Sequence, residues 1–484
     1  MKKFLAFSLV VAMGLSFVAC GGGEKTTSSN DVPTLEWYVH GDKQQDIASV
    51  MEEANKIVVP EIGAKIDLKF IDQGAYSEKM KMMMASGTAF DMCFTGYVNP
   101  YATAAQRGGL LALDEYLTDM PDLYNSIPEY TWKTVKYNGS IYAVPNLQVM
   151  GLQMNFYTFK DLADKYGLSE KLDPLEKIDT KTIEEYLQQI KDNEPSYYPV
   201  RFNYDIGFFQ TQPYSDSVMS LIKAYFDENG NFKEITTEVY HEKYEWALEK
   251  AKEWYDRGFV REDIVSMSGD TAEFNAGKYA CWMEKWKPGI AQEQLQKFGR
   301  EVVSYQLSEC TYPSHAPDAM TGVSRTSKNP ELAMKMIELV NNDKKLYNLI
   351  CFGIEGKHYN LDENGRVVYN EAAGYAPKAC WKFGNQFNAL LLPGQPDDVW
   401  EQTIEMNDTA IRSPLAGFNV NQLPITTEIA AVASVNSEFS KIEKGASYDK
   451  ATFDAYIKKL KEAGIDRIIE EVNSQYEEWL KTDN

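Results

Sequence analysis

The chain reads as an α/β protein of more than one lobe, and three observations predict this. Strand-like and helix-like periodicities alternate from Thr34 onward. At 484 residues the chain exceeds what a single hydrophobic core sustains. A proline, Pro145, interrupts an extended run at the point where the first group of alternating elements ends.

The elements follow in order. "TLEWYVHG" alternates and stops at Gly41, as a half-buried strand does. Ile47, Val50, Met51, Ala54, Ile57 and Val58 recur at helical spacing over Asp46 to Val59. "AKIDLKFID" alternates again, "SEKMKMMMASG" is a helix ended by Gly87, and "FDMCFTGY" is a third strand. Strand, helix, strand, helix, strand is the pattern of a parallel open sheet. Such sheets bind ligands beyond the carboxyl ends of their strands, which places His40 to Asp42 and Thr95 to Tyr97 on one rim. Asn138-Gly139 predicts a hairpin. Phe159 to Asn193 and Glu238 to Gly258 read as helical, "PSYYPVRFNYDIGFF" as loop, and "GKYACWMEKWKPG" as a strand running into a turn. "TGVSRTSKNPELAMKMIELV" reads as strand, turn and helix with Pro330 near the helix start, and the remainder is mostly helical. "DENGNF" and "DENGR" lack the terminal acid of a calcium loop and read as hairpin turns.

The N-terminus carries a different message. Lys2 and Lys3 precede an apolar run, Phe4 to Phe17, that is too short to span a bilayer and suits a signal peptide. Ala19 then precedes Cys20, and residues 20–32 are rich in Gly, Ser and Thr. This arrangement resembles a bacterial lipoprotein signal: residues 1–19 removed, Cys20 acylated (palmitate included), and 20–32 serving as a slack tether. Phe17 stands where such signals usually carry leucine. The expected location is the outer face of the cytoplasmic membrane of a Gram-positive host, or the periplasm of a Gram-negative one.

Composition narrows the partners. A net charge of −22 repels nucleic acid and anionic lipid, so contact with the membrane is expected through the anchor alone. Besides Cys20 there are Cys93, Cys281, Cys310, Cys351 and Cys380, an odd set without CxxC spacing, expected to be unpaired thiols rather than a metal site. No nucleophile elbow, HExxH or P-loop is present. No cofactor, metal or catalytic residue is assigned, and the chain is expected to be a monomeric binding protein rather than an enzyme.

Several segments together resemble a known family. "KMKMMMASGTAFDMCFTGY", "GGLLALDEYL", "NGSIYAVPN" and "FNAGKYACW", in that order, resemble family-1 extracellular solute-binding proteins, the ligand receptors of ATP-driven importers. "NLICFGIEGKHY", "WKFGNQF", "SPLAGF" and "EIAAVASV" resemble a Firmicute lipoprotein subgroup (LipO-like) with a helical C-terminal region. The resemblance implies a two-lobed, periplasmic-binding-protein-like fold (class II, maltose-binding-protein-like), with a ligand held between the lobes and delivered to transmembrane permease subunits. It implies a carbohydrate, with an oligosaccharide first in line. A peptide or other non-sugar solute, and a surface glycoside hydrolase, remain the alternatives. The lobes are expected at 33–147 with 280–322, and at 148–279 with 323–484.

A sugar offers hydroxyls and apolar C–H faces, so its receptor needs aromatic plates beside Asp, Glu, Asn, Gln or His. On a strand, Trp282, Glu284 and Trp286 share one face and meet that need within a few residues. The other candidates are Trp37 and His40 on the first strand, Tyr97 after the third, Asn146 and Gln153 beside the first crossing, Tyr204, and Trp381 with Asn385 in "CWKFGNQF".

Overall fold

The computed structural model describes residues 32–203, 205–209, 215–227, 231–267, 269–315 and 317–482. The signal segment, Cys20 and nearly all of the tether lie outside the described residues, as does Tyr204.

Two hydrophobic cores organise the chain. The first surrounds a five-stranded sheet in the order Lys65–Ile71, Thr34–His40, Met92–Gly96, Ala319–Val323, Ala143–Pro145. Its first three strands run parallel, and the last two are antiparallel to their neighbours. The helices Ile47–Ile62, Gln73–Ser86, Pro330–Asn342 and Lys344–Phe352 bury their apolar stripes in this core. The first helix starts from Asp46 and ends at Gly63 in the left-handed region, with Pro60 inside its last turn.

The second core surrounds a four-stranded sheet in the order Val302–Gln306, Gln153–Phe159, Tyr279–Trp286, Tyr198–Arg201. Helices Thr180–Asn193 and Glu242–Asp256 pack on it, and a three-stranded meander, Ser215–Met219, Ile222–Phe226 and Phe232–Thr237, adds to it. The C-terminal helices Thr426–Phe439, Lys450–Glu462 and Ile465–Thr482 contribute Val432, Phe453, Tyr456, Leu460, Ile468 and Val472 to the same core. The architecture is therefore α/β with two lobes and a helical C-terminal region.

The lobe boundaries differ from those drawn on the sequence. Strand Tyr279–Trp286 pairs with Gln153–Phe159 and so belongs to the second lobe, not the first. Only Ala319–Val323 from the stretch 280–322 joins the first sheet, and the helices over 330–352 belong to the first lobe, not the second. Segment composition did not show which sheet a strand joins, because pairing is a long-range choice. Similarly, "PSYYPVRFNYDIGFF" is not all loop, since Tyr198–Arg201 is an edge strand and Asp205–Phe209 a short helical turn. The Asn138-Gly139 hairpin is present, with both residues at positive φ (50° and 82°). The "DENGR" turn joins two antiparallel strands; the strands on either side of "DENGNF", Ile222–Phe226 and Phe232–Thr237, also pair antiparallel, while residues 228–230 of that segment lie outside the described residues.

The chain passes between the lobes along three crossings that are hydrogen-bonded to one another. Leu152 and Thr311 exchange backbone bonds of 2.7 and 3.0 Å. Thr311–Tyr312 pairs in parallel with Ile411–Arg412. Asn407, on helix Val399–Thr409, accepts from the N–H groups of Met150 (2.7 Å) and Gly151 (2.9 Å) and donates to the Gln148 carbonyl (2.7 Å). One asparagine thus satisfies three backbone groups of a strap that has no strand partner there.

Candidate functional site: a cleft between the lobes

A cavity of about 580 Å³ lies between the lobes, within the usual range for small-molecule sites. The first lobe presents Tyr97, Asp318 and Trp381; the second presents Glu284, Trp286 and Glu293; the crossings form the floor from Gln148 to Leu152 and at Tyr312.

The two first-lobe rings are held from behind. Tyr97 follows Gly96, whose φ is 139° and whose added Cβ would lie 1.9 Å from the Asp318 carbonyl oxygen. Only glycine permits that approach, and it lets the Tyr97 N–H bond Asp318 O at 3.1 Å. Trp381 sits in the helical turn Cys380–Lys382. The Asn146 side chain donates to its carbonyl (3.2 Å), and the Tyr347 hydroxyl donates to the Cys380 carbonyl (2.7 Å). The Tyr97 and Trp381 rings lie 6.1 Å apart and tilted by 42°. Tyr97 is about half exposed, at 48 %.

On the second lobe, strand Tyr279–Trp286 runs out of its core toward the boundary. Trp282 is fully buried, stacked on Tyr157 (5.8 Å, 10°) and edge-on to Phe159 and Phe274. Two and four residues on, Glu284 and Trp286 emerge on the cleft wall. Glu284 Oε2 accepts from Gln294 Nε2 at 3.1 Å, and Lys287 pairs with Glu293 at 2.8 Å.

The structure brings Tyr97, Glu284, Trp286 and Trp381 together around this cavity. Other candidates need correction. Trp282 and Trp37 are core residues; Trp37 is 1 % exposed and edge-on to Phe383. His40 is also 1 % exposed and lies beneath the cleft rings, 5.5 Å from Tyr97 and 5.9 Å from Trp381. Burial holds the imidazole neutral, with its pKa lowered to about 4, and nearby Lys382 adds to the shift. Lys382 donates to the His40 carbonyl (2.9 Å), and its own burial lowers its pKa to about 8 against the pull of Asp42. Asn146 is buried and spends its side chain on Trp381 and Thr321. Gln153 donates to the Asn155 side chain (2.9 Å), and Asn385 caps the next turn by accepting from the Phe387 N–H; neither lines the cavity.

Sequence reasoning missed Gln148, Val149 and Met150, which directly follow the crossing signal at Pro145 and could have been found from it. It also missed Tyr312, His315, Asp318 and Glu293, for which no local signal exists. The five cysteines from Cys93 onward are free; Cys93, Cys281 and Cys351 are buried, and Cys310 and Cys380 half-buried. Among the described residues no group of His, Cys, Asp or Glu is arranged to hold a metal ion, and no helix is long and apolar enough to cross a membrane.

Comparison with known proteins adds three findings. Residues 414–481 match a family model described as a domain of unknown function, DUF3502. The chain is 26 % identical, over 99 % of both sequences, to a carbohydrate ABC transporter substrate-binding protein of Streptococcus pneumoniae serotype 4. It shares its fold with the N-glycan transport solute binding protein NgtS of S. pneumoniae, at a TM-score of 0.82, 24 % identity, and coverage of 93 % of this chain and 100 % of that one. Structures of NgtS in complex with Man1GlcNAc and Man5GlcNAc match at 0.72 and 0.69.

Proposed function

We propose that the chain, a two-lobed α/β protein 26 % identical over 99 % of its length to a carbohydrate ABC transporter substrate-binding protein, captures an oligosaccharide in the interlobe cleft and hands it to the permease of an ABC importer. The observation that carries this reading is the placing of aromatic rings on both lobes around one cavity, Tyr97 and Trp381 opposite Trp286. A pyranose can lay its C–H faces on such rings, losing apolar hydration, while Glu284, Asp318 and the floor amide of Gln148 accept or donate to its hydroxyls. Of the two cleft carboxylates, Glu284 is engaged by Gln294 and Glu293 by Lys287. S. pneumoniae NgtS is described with Man1GlcNAc and Man5GlcNAc, which makes these two glycans the first probes.

The same reading includes an anchor. Cys20, after its apolar segment, is the acylation point that holds the receptor on the outer membrane face as a monomer beside its permease. The lobes are assigned as 33–147 with 318–400 and 153–307 with 415–482, from the residues that pack in each core.

Calorimetric titration against a panel of neutral and acidic oligosaccharides, including Man1GlcNAc, Man5GlcNAc and oligogalacturonate, tests the proposal. Saturable heat with one or more members and no new reducing ends supports it. Absence of binding across the panel, or turnover above a heat-killed control, overturns it.

A further inference from the structure

Beyond the crossing at residues 312–315 lies a second interlobe cavity of about 200 Å³. One wall is first-lobe, from helix Tyr101–Gln106 and from Tyr137; the other is second-lobe, from Ser217 and residues 415–422. His315, exposed on the crossing, lines both this cavity and the cleft. The second-lobe wall is the opening loop of the region that matches DUF3502.

That loop is clamped on both sides. The Phe418 ring packs 5.3 Å from Tyr476 and 5.7 Å from Trp479 on the C-terminal helix, and Gln475 exchanges bonds of 2.7 and 3.0 Å with the Asn421 backbone. Toward the first lobe, Asn419 Nδ2 donates to the Lys136 carbonyl at 2.7 Å. Gly417, at φ 92°, passes so close to helix Glu129–Thr134 that an added Cβ would lie 3.2 Å from the Lys133 carbonyl oxygen. The loop therefore bridges the lobes in one defined course.

The lining chemistry is selective. Apart from His315, the described lining residues are uncharged: the rings of Tyr137 and Phe418, the hydroxyls of Thr103 and Ser217, and the amides of Gln106 and Gln422. A carboxylated sugar would find no lysine or arginine there. A neutral sugar would find ring faces and donors and acceptors of both kinds. The volume is on the scale of one sugar ring, and the compartment adjoins the cleft at His315, which lines both.

We propose that the opening loop of the DUF3502 region builds a second subsite, for a neutral sugar unit of the oligosaccharide held in the cleft, so that this region sets the length or branching accepted. The proposal rests on the oligosaccharide reading of the cleft. Its test fills the compartment from either side, with Gln106→Trp on the first lobe and Gln422→Trp on the second, both at exposed positions. Each protein is titrated with Man1GlcNAc and Man5GlcNAc, and its melting temperature is recorded. The unmodified chain is expected to bind the longer glycan at least ~10-fold more tightly. Each variant should lose that advantage while keeping its affinity for the disaccharide within about 2-fold and its melting temperature. An unchanged preference in both variants overturns the subsite, as do equal losses for both glycans or a parent chain with no preference. A parent chain that binds neither glycan overturns it too; binding of another member of the panel then shows that the cleft reading itself stands.

Discussion

Trp286 and Trp282 share a strand and a face, and the structure predicts opposite consequences for their truncation. Trp282 is surrounded by Tyr157, Phe159, Phe274 and Phe298 with ring centroids 5.3–5.8 Å away, and no solvent reaches it. Trp282→Ala removes that packing and leaves a void, at a cost of about 3–5 kcal/mol of stability. The indole Nε1 has no partner in the fold, so no hydrogen bond is added to the loss. In a unit the size of one lobe this lowers the melting temperature by about 6–20 °C. Trp286 is half-buried at the strand end, with one side on the second core and the other on the cleft. Its truncation is expected to cost about 2–4 kcal/mol of binding, roughly 30- to 1000-fold in affinity, as central aromatic anchors do. Its effect on melting should be a few degrees at most. Thermal denaturation and calorimetric titration of both Ala variants, against whichever panel glycan binds, check the pair. The reasoning is refuted if Trp286→Ala binds like the parent chain, or if Trp282→Ala melts like it.

Further outcomes follow from other sites. His40 is held neutral to about pH 4 in the fold, against 6.5 when free, so the unfolded chain binds the extra proton between those values. Stability should accordingly fall as pH drops from about 6.5 to 4, by about 3 kcal/mol at most from this group, and level off below. The cationic Lys382 beside it and the rings of Tyr76, Phe94, Tyr97 and Trp381 around it supply no carboxylate to reverse the trend. His40→Phe should flatten that part of a denaturation-against-pH series, and an unaltered slope would show that other groups produce it. Asn407→Ala leaves the N–H groups of Met150 and Gly151 without their acceptor and should cost about 1–3 kcal/mol in denaturant titration; an unchanged midpoint would mean that water replaces the side chain at no loss. Cys20→Ala should move the protein from the membrane fraction to the medium of the expressing cells, and unchanged fractionation would remove the acyl anchor.

Much of the fold was legible because it is written locally. The alternation of "TLEWYVHG" and "AKIDLKFID" and the spacing of Val50, Met51, Ala54 and Val58 fix the identity of their elements, and the observed burial follows those stripes. What local pattern does not hold is the partner of each strand. Tyr279–Trp286 and Ala319–Val323 are separated by one helix and two short strands, yet they enter different sheets. Nothing in either segment's composition marks that choice. It depends on which crossing carries the chain back, and the crossings are secured by distant groups such as Asn407.

The candidate site shows the same limit at the scale of side chains. Period-2 alternation put Trp282, Glu284 and Trp286 on one face, and they are on one face. Alternation says nothing about where along a strand the core ends and the cleft begins, and here that boundary falls between residues 282 and 284. The first strand obeys the same rule with a different outcome. Its carboxyl end does point at the cleft, as parallel sheets dictate, but Tyr97 and Trp381 from two other segments close over it, and His40 becomes the support of the wall instead of its surface. A rim position in sequence thus predicts proximity to the ligand, while contact is decided by what the rest of the chain lays on top. Of the residues singled out from the sequence, Tyr97, Glu284, Trp286 and Trp381 line the cavity because the segments that carry them end at the lobe boundary with nothing laid over them.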